Sequence, residues 1–446
     1  MTFDERLQNV AIIGAAGKMG SGISLLLAQE MARLKNKPEN KDKNYRLYLI
    51  DINLDHLAGL QQYLRAQLVK AGEKACVMLR EMYKDRQDLV ENQDCINQYV
   101  EDALSFIRTG TDLSIVKDSR VIFEAILEKK DLKVDLLKKI DNLCGKDTLY
   151  LTNTSSIPIN ILNKEANLNG RIIGFHFYNP PTVQKLAELI SADNTVQELR
   201  DFSLELAKRL SKKIVPSNDI AGFVGNGHFL RDGLYGLREA KKLAKDYSLP
   251  GGLYIINKIS QDLLVRPMGI FQLIDYVGVD VFQSISETVG GYIPGEDLKD
   301  DLLKKMYDKK VLGGQRSDGS QKDGFLKYDR NRPVGVYDID KGEYKLFDPQ
   351  GWSGELDKKL GEYPAGFYAW RNLVADPKKS DKLKTFFQSL KSSNTLGAKL
   401  ASAYLKNSKE IGEQLVKIGV AKTAEDVNNV LLNGFYHLYG PINDYI

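Results

Sequence analysis

One segment of the chain combines residue types that could carry acid–base chemistry. It reads GFHFYNPPTVQKLAELI, residues 174–190, and sets His176 between apolar residues shortly before a proline pair. An imidazole in such a position is either a buried structural group or a general base, because its pKa lies near neutrality. Further along the same segment, Glu188 is surrounded by apolar residues, where a carboxylate is costly to bury unless it is paired. These two side chains are the first candidates for chemistry.

A glycine-rich string near the N-terminus indicates a phosphate-binding turn. In VAIIGAAGKMGSGIS the glycines follow a short apolar run and open an amphipathic stretch, which predicts strand, turn and helix. Glycine is needed where such a turn is tight and where backbone approaches a pyrophosphate, and the helix N-terminus adds free N–H groups. The spacing GxxGxxG is one residue longer than GxGxxG, so the loop alone is weak evidence. The predicted cofactor contacts are Gly14, Ala16, Gly17, Lys18, Met19 and Gly20.

An acidic residue predicts which dinucleotide binds. Asp51 ends the next apolar run, YRLYLID, where a carboxylate can accept both adenosine-ribose hydroxyls and repel a 2′-phosphate. Ile52 and Asn53 follow, with no arginine to hold that phosphate. The interval from Gly20 exceeds the usual ~20 residues because the polar insertion KNKPENKDKN intervenes. An N-cap is the alternative role for Asp51, but the glycines upstream favour NAD.

These candidates are positioned by strands that alternate with helices. The apolar runs RVIFEAI, TLYLTN and RIIGFH are separated by helix-like segments, which predicts a parallel, doubly wound sheet. His176 then lies at the carboxyl edge of the sheet, where such folds bind ligands. Beyond about residue 222 the periodicity is helical, VYDIDKGEYKLF reads as a hairpin, and helical periodicity resumes near residue 380. We expect an NAD-binding domain at 1–215, a helical domain at 216–328, an insert or linker at 329–380 and a second helical copy at 381–446.

Composition excludes several classes of function. The 446 residues are 43% hydrophobic and 27% charged, with a formal net charge of +4, which is typical of a globular protein and gives no strong nucleic-acid or membrane signal. The three cysteines lie far apart with few histidines nearby, so no metal site is expected and reduced thiols are the simpler interpretation. A polar N-terminus and the lack of long apolar runs predict a cytoplasmic protein without a signal peptide.

Taken together, the motifs resemble one enzyme family. The succession GAAGKMGSGI, LID, FEAILEKKDLK, TNTSS, GFHFYNPP with KLAELI, GFVGN and RPMGIFQLIDYVG is similar to that of the 3-hydroxyacyl-CoA dehydrogenases, from the N-terminus to about Tyr328. The resemblance implies a Rossmann-type doubly wound sheet domain followed by all-α C-terminal domains of the 6-phosphogluconate-dehydrogenase-like type. It also implies reversible, NAD-dependent oxidation of an (S)-3-hydroxyacyl-CoA to the 3-oxoacyl-CoA, with acyl-CoA as the partner.

The resemblance implies roles for individual residues. His176 would remove the proton of the 3-hydroxyl while hydride leaves C3 for the nicotinamide, and Glu188 would orient the imidazole. This agrees with general chemistry, because a carboxylate on one ring nitrogen fixes the tautomer and stabilises the imidazolium. The other implied positions are Ser155 and Asn226 as catalytic contacts to the substrate oxygens, Glu128, Lys133 and Asn153 beside the nicotinamide, and Lys74 as a basic contact to CoA.

The chain also departs from the family pattern. Around Asn226 it reads AGFVGNG, without the usual proline before GF and arginine after the asparagine, and we expect the two glycines to loosen the helix start. The string GGQRSDGSQKDGFLKYD, residues 313–329, replaces a shorter family motif. The longer glycine loop is the third departure, and it concerns the geometry of the phosphate loop more than the class of cofactor.

An internal repeat predicts how the C-terminal part is organised. LPGGLYIINKISQDLLVRPMGIFQLID and AKTAEDVNNVLLNGFYHLYGPINDYI both run a helix into a turn, with Gly269 and Gly440 at matching places. A duplicated unit resembles the multifunctional branch of the family, but no hydratase domain is expected in this sequence. Because single-unit members pair their helical domains between subunits, we expect the second copy to favour a monomer, with a homodimer as the alternative.

Three other functions remain open at this stage. A dehydrogenase of the same fold could act on a free 3-hydroxy acid or sugar acid. The GAAGKMG loop alone is also compatible with dihydrodipicolinate reductase, although no matching catalytic segment follows. A cofactor-binding protein without catalysis is disfavoured by the joint presence of Ser155, His176, Glu188 and Asn226. Acyl chain length and physiological direction are not determined by the sequence.

Overall fold

The computed structural model describes residues 1–316 and 319–445. The chain divides into two compact units, Met1–Asp219 and Ile220–Ile446. The three predicted C-terminal segments therefore lie, apart from residues 216–219, in one unit. No helix within the described ranges is both long enough and apolar enough to span a bilayer.

An eight-stranded sheet organises the first unit, in the order β3-β2-β1-β4-β5-β6-β7-β8. Its strands are β1 Asn9–Ile13, β2 Arg46–Ile50, β3 Ile107–Gly110, β4 Val121–Glu124, β5 Leu149–Thr152, β6 Ile172–Phe177, β7 Leu186–Ser191 and β8 Lys213–Ser217. The helices of this unit are α1 Phe3–Arg6, α2 Lys18–Lys35, α3 Leu54–Lys74, α4 Cys76–Met82, α5 Asn92–Ser105, α6 Lys130–Leu143, α7 Ile159–Glu165 and α8 Gln197–Arg209.

The predicted parallel sheet is correct for β1 to β6 and wrong for the last two strands. Strand β7 runs antiparallel to β6, and β8 runs parallel to β7. The physical reason is the connection between β6 and β7, which spans only residues 178–185 and is too short for the crossover that a parallel pair requires. Strand β3 was not among the predicted strands.

The strands that lead to the candidate site are buried on both faces. Every residue of β4, β5 and β6 is buried, which explains why their sequences are nearly continuous apolar runs rather than alternating ones. These strands also contain buried polar residues at or near their carboxyl ends, among them Glu124, Thr152 and His176. These buried polar groups lie at the carboxyl edge of the sheet, the edge at which such folds bind ligands.

The second unit is helical with a small sheet. Its helices are α9 Phe223–Asp262, α10 Ile270–Val277, α11 Val279–Tyr292, α12 Asp301–Asp308, α13 Trp352–Leu360, α14 Trp370–Leu373, α15 Lys379–Ser392, α16 Leu396–Lys417 and α17 Ala424–Gly434. The predicted hairpin is confirmed as the antiparallel pair β10 Arg332–Asp338 and β11 Glu343–Leu346. A third strand, β9 Leu326–Asp329, extends it. After this sheet the chain becomes helical again at α13, earlier than the predicted position near residue 380.

Asp275 of α10 anchors the segment that replaces the shorter family motif, of which residues 317 and 318 lie outside the described residues. Its carboxylate accepts hydrogen bonds from the N–H groups of Phe325 and Leu326 at 2.6 and 2.8 Å and from the Tyr328 hydroxyl at 2.9 Å. Burial raises the pKa of Asp275 to about 8, against the opposing effect of these donors. The segment is therefore fastened to α10 by a buried carboxyl group.

The two repeated sequences adopt the same local structure. Asn257 Oδ1 accepts from the N–H of Phe271 at 3.1 Å, and Asn428 Oδ1 accepts from the N–H of Ile442 at 3.0 Å, over an interval of 14 residues in both cases. Each asparagine thus closes the turn that follows its helix. The structure repeats this helix-and-turn arrangement within the second unit.

The glycines of the two turns are required by these asparagines. A Cβ at Gly269 would lie 2.3 Å from Asn257 Oδ1, and one at Gly440 would lie 2.2 Å from Asn428 Oδ1. Left-handed φ angles also recur at matching places in the two copies, at Ser248 and Gly419 and again at Val265 and Tyr436.

Candidate active site

The pairing of β6 with β7 places the predicted base opposite its predicted partner. In the antiparallel register His176 faces Glu188 directly, so both side chains project from the same face of the sheet. The Nδ1 atom of His176 lies 3.2 Å from Oε1 of Glu188. Glu188 is fully buried, and His176 is 7% exposed. The short β6–β7 connection is what brings together two residues separated by a proline-containing loop.

This geometry determines where the proton sits on the imidazole. An ionised carboxylate can only accept a hydrogen bond, so Nδ1 of His176 carries the proton and donates to Glu188. The Nε2 atom is then left as an acceptor. A neutral imidazole held in this tautomer can take a proton at Nε2, and the buried carboxylate stabilises the imidazolium that forms. A general base with an orienting partner would have this arrangement.

A tyrosine that was not singled out in the sequence also contacts this pair. The hydroxyl of Tyr178 donates to Oε1 of Glu188 at 2.7 Å, and its ring centroid lies 5.0 Å from that of His176. Burial and the negative charge of Glu188 raise the pKa of the Tyr178 phenol well above its ordinary value. The only sequence signal was an aromatic residue two positions after the histidine.

The glycine loop has two glycines at which the fold leaves no room for a Cβ atom and one at which the crowding is milder. Gly14 has a left-handed φ of 80°, and a Cβ there would lie 2.7 Å from the carbonyl oxygen of Ala125. A Cβ at Gly20 would lie 2.0 Å from the carbonyl oxygen of Gly14. A Cβ at Gly17 would lie 3.3 Å from the same oxygen, a tight contact that a small shift could relieve.

The glycine loop leads directly into the start of α2, where a phosphate would be stabilised. Gly17 is the N-cap of α2 and offers no side chain to cap the helix, and the first turn contains no acidic residue. Lys18 and Met19 open the helix. The N–H groups of a helix N-terminus, its positive dipole end and a first turn without acidic residues suit the pyrophosphate of a dinucleotide. The residues present fit NAD.

Asp51 is joined to the glycine loop by a direct contact. Its Oδ2 accepts from the N–H of Ala16 at 3.1 Å, and its Oδ1 lies 3.4 Å from the N–H of Asn53. The N-cap of α3 is Asn53, whose side chain accepts from the N–H groups of Asp55 and His56. The alternative role of Asp51 as an N-cap is therefore wrong.

Glu128 and Lys133 belong to one buried network at the ends of β4 and β5. Lys133 Nζ contacts Oε1 of Glu124 at 2.7 Å and Oε2 of Glu128 at 3.3 Å. Burial alone would lower the pKa of Lys133, but the two carboxylates raise it above its ordinary value. Glu124, which also accepts from the Thr152 hydroxyl at 2.6 Å, was missed by sequence reasoning. Its position at the last residue of β4 was the available signal.

The same network fixes the loop that contains Ser155 and Asn153. Oε1 of Glu128 accepts from the N–H groups of Ser155 and Ser156 at 2.8 and 2.9 Å. Oδ1 of Asn153 accepts from the N–H of Phe177 at 2.9 Å, directly after the histidine. The polar residues at the ends of β4, β5 and β6 are thus brought together by hydrogen bonds.

Two further predicted residues lie on helices. Lys74 is the exposed last residue of α3, and Asn226 lies in the first turn of α9, in the second unit. The neighbouring Gly227 is a close-packing position, since a Cβ there would lie 3.1 Å from a side-chain carbon of Leu415 in α16. The glycine after the asparagine therefore has a packing reason. In residues 1–316 and 319–445 no group of three or more His, Cys, Asp or Glu residues could hold a metal ion.

Comparisons with known proteins identify the family of the chain. The model of the 3-hydroxyacyl-CoA dehydrogenase NAD-binding domain matches residues 9–220, and that of the 3-hydroxyacyl-CoA dehydrogenase C-terminal domain matches residues 254–327. A probable 3-hydroxyacyl-CoA dehydrogenase of Deinococcus radiodurans is 30% identical over 329 residues, which cover 72% of this chain and 83% of that protein. A probable 3-hydroxybutyryl-CoA dehydrogenase of Bacillus subtilis is 28% identical, covering 71% of this chain and 96% of that protein.

A solved structure extends the likeness of fold to almost the whole chain. The crystal structure of 3-hydroxybutyryl-CoA dehydrogenase from Escherichia coli matches with a TM-score of 0.63 at 20% identity, covering 98% of this chain and 90% of that chain. The fold and site thus define a Rossmann-type, NAD-dependent oxidoreductase with a helical C-terminal part. The chain belongs to the 3-hydroxyacyl-CoA dehydrogenase family.

Proposed function

We propose that this chain oxidises (S)-3-hydroxyacyl-CoA reversibly to 3-oxoacyl-CoA, with His176 as general base and Glu188 as its orienting partner. The observation that carries the proposal is the 3.2 Å contact between Nδ1 of His176 and the buried carboxylate of Glu188. This contact leaves Nε2 as a proton acceptor at the carboxyl edge of the sheet, the same edge that bears the glycine loop and Asp51. Of the two directions we propose oxidation, as in fatty-acid degradation.

The chemistry divides between the cofactor and the protein. NAD, when bound, supplies the nicotinamide carbon that accepts hydride from C3 of the substrate. His176 takes the proton of the 3-hydroxyl at Nε2, and Glu188 stabilises the resulting imidazolium. In the reverse direction the imidazolium returns that proton to the oxygen. Ser155 and Asn226 are proposed to hold the substrate oxygen, since a hydroxyl and a carboxamide can bind it without reacting.

The cofactor is proposed to lie along the three features built at this sheet edge. The loop from Gly14 to Gly20 would hold the pyrophosphate, and Asp51 the adenosine ribose. The network of Glu128 and Lys133, together with Asn153, would border the nicotinamide. Lys74 is proposed as a contact to a CoA phosphate, because it is an exposed cation at the end of α3.

The second unit supports the proposal of a monomer. The hydroxyl of Tyr404 in α16 donates to the carbonyl of Asp232 in α9 at 2.8 Å, and Arg266 donates to the hydroxyl of Ser408 at 3.1 Å. Within one chain, the proposed second copy therefore covers α9 of the first. Light scattering that gives the mass of one chain is expected, and a stable dimer mass would contradict this proposal.

Steady-state kinetics tests the proposed reaction. We expect activity with 3-hydroxybutyryl-CoA and none with free 3-hydroxybutyrate, and a preference for NAD over NADP because Asp51 repels a 2′-phosphate. A series of acyl-CoA substrates from C4 to C16 then defines the chain length. Turnover of the free acid but not of the thioester would overturn the assignment of substrate and favour the dehydrogenase of free hydroxy acids.

A further inference from the structure

We infer that Tyr178 is a positioning residue of the His176–Glu188 pair, because its hydroxyl and the imidazole N–H share one carboxylate oxygen. The inference rests on the proposed function, in which that pair is the base. It adds a third member whose effect on catalysis passes through Glu188, with no contact to the reacting atoms required.

The shared oxygen is the central observation. Oε1 of Glu188 accepts from the Tyr178 hydroxyl at 2.7 Å and faces Nδ1 of His176 at 3.2 Å. Glu188 is fully buried, so its charge is stabilised by protein donors rather than by bulk water. Hydrogen bonds to an ionised acceptor are the stronger kind, and the phenol makes the shorter of these two contacts.

Tyr178 is kept as a donor by its surroundings. Burial, followed by the charge of Glu188, raises the pKa of the phenol well above its ordinary value. The hydroxyl therefore retains its proton throughout the pH range in which an imidazole titrates. A residue that never ionises in this range can orient a carboxylate without adding a titration of its own.

Sharing one oxygen has two consequences for the base. First, the phenol limits rotation of the carboxylate, so the imidazole is held in one orientation. Second, the phenol draws charge from the oxygen that faces Nδ1, which weakens the interaction of that oxygen with the imidazolium. Removing the hydroxyl should therefore loosen the pair and strengthen the attraction between the carboxylate and the imidazolium.

Charged groups on the neighbouring elements are engaged elsewhere. Lys212, between α8 and β8, donates to the carbonyls of Pro181 and Gln184 at 2.5 and 2.6 Å, and lies 6.0 Å from the centre of the Phe177 ring. On the side of β4 and β5, the carboxylate of Glu128 is held by Lys133 and by backbone N–H groups. Burial lowers the pKa of Lys212 to about 8, so its titration affects the alkaline side of the profile. A change in the acid limb on removal of the hydroxyl is therefore assigned to the contact between Tyr178 and Glu188.

The test compares Tyr178→Phe with Tyr150→Phe in the full-length enzyme. The control also removes a buried phenol that donates to a carboxylate, since the Tyr150 hydroxyl contacts Oδ1 of Asp141 at 3.0 Å, but it lies near the amino end of β5. For Tyr178→Phe we expect kcat to fall by about tenfold, the effect of one charge-assisted hydrogen bond. The KM values for NAD and acyl-CoA should stay within about twofold.

A pH profile separates positioning from a general structural role. The acid limb of kcat/KM should move to higher pH by about half a unit in Tyr178→Phe, and stay in place in Tyr150→Phe. A wild-type kcat and profile in Tyr178→Phe would overturn the inference, as would equal effects in both variants. Failure of the proposed function is a different result, namely full activity of His176→Gln, so the two outcomes are distinguishable.

Discussion

Replacing Glu188 by glutamine removes the charge of the proposed orienting partner while keeping its shape. In the structure Oε1 of Glu188 lies 3.2 Å from Nδ1 of His176, and the carboxylate is fully buried. Two unit charges at that separation attract by about 5 kcal/mol at an effective dielectric constant of about 20. The amide oxygen of glutamine can still accept from Nδ1, so part of this stabilisation is retained.

The expected result for Glu188→Gln is a loss in kcat of about 10²–10³-fold, or about 3–4 kcal/mol of transition-state stabilisation. The acid limb of kcat/KM should move to lower pH, because a base without its carboxylate holds a proton less tightly. This is opposite to the shift expected for Tyr178→Phe. NADH affinity should be unchanged, since Glu188 lies on β7 and the glycine loop follows β1.

The assay follows NADH absorbance over a range of pH, with NADH binding measured separately by fluorescence. Glu30→Gln is the matched control, because Glu30 is a nearly buried carboxylate that pairs with Arg33 at 2.6 Å in α2. It should leave kcat and the pH profile unchanged. A kcat for Glu188→Gln within a few-fold of wild type would refute the reasoning, as would a limb that moves to higher pH.

Two further predictions concern the glycine loop and the second unit. Gly20→Ala should lower stability by about 1–3 kcal/mol, since its Cβ would lie 2.0 Å from the Gly14 carbonyl oxygen. Gly17→Ala, whose Cβ would lie 3.3 Å from that oxygen, should lower the melting temperature much less and weaken NADH binding about tenfold. Equal melting temperatures in the two variants would contradict this. Burial raises the pKa of Asp275 from 3.8 to about 8, so the folded state binds this proton more tightly than the unfolded state does. The free energy of unfolding should therefore fall as the pH rises from about 4 to about 8. Asp275→Asn should flatten that decline in thermal melts, and an unchanged slope would contradict it.

The sequence was most informative for features that a short stretch of residues is enough to predict. Buried parallel strands read as apolar runs, and the glycine loop with Asp51 indicates a dinucleotide independently of any family likeness. The contact between Asp51 and the N–H of Ala16 now joins these two signals at 3.1 Å. Residue types and short spacings were therefore enough to predict the class of cofactor.

What the sequence did not reveal depends on pairing over longer intervals. The antiparallel direction of β7 follows from a short connection that periodicity does not report, and that direction sets His176 opposite Glu188. Tyr178 and Glu124 were missed for a similar reason. An aromatic residue and a strand-ending glutamate are common, and only the fold shows that each contacts a group of the candidate site.

The central claim is that His176 is the base, and the most direct measurement is the rate of hydride transfer in His176→Gln. In a single turnover with saturating NAD and 3-hydroxybutyryl-CoA, we expect that rate to fall by about 10²–10⁴-fold, the usual contribution of a positioned acid–base residue. NADH affinity and melting temperature should match those of the wild type. A variant that transfers hydride at the wild-type rate would contradict the account.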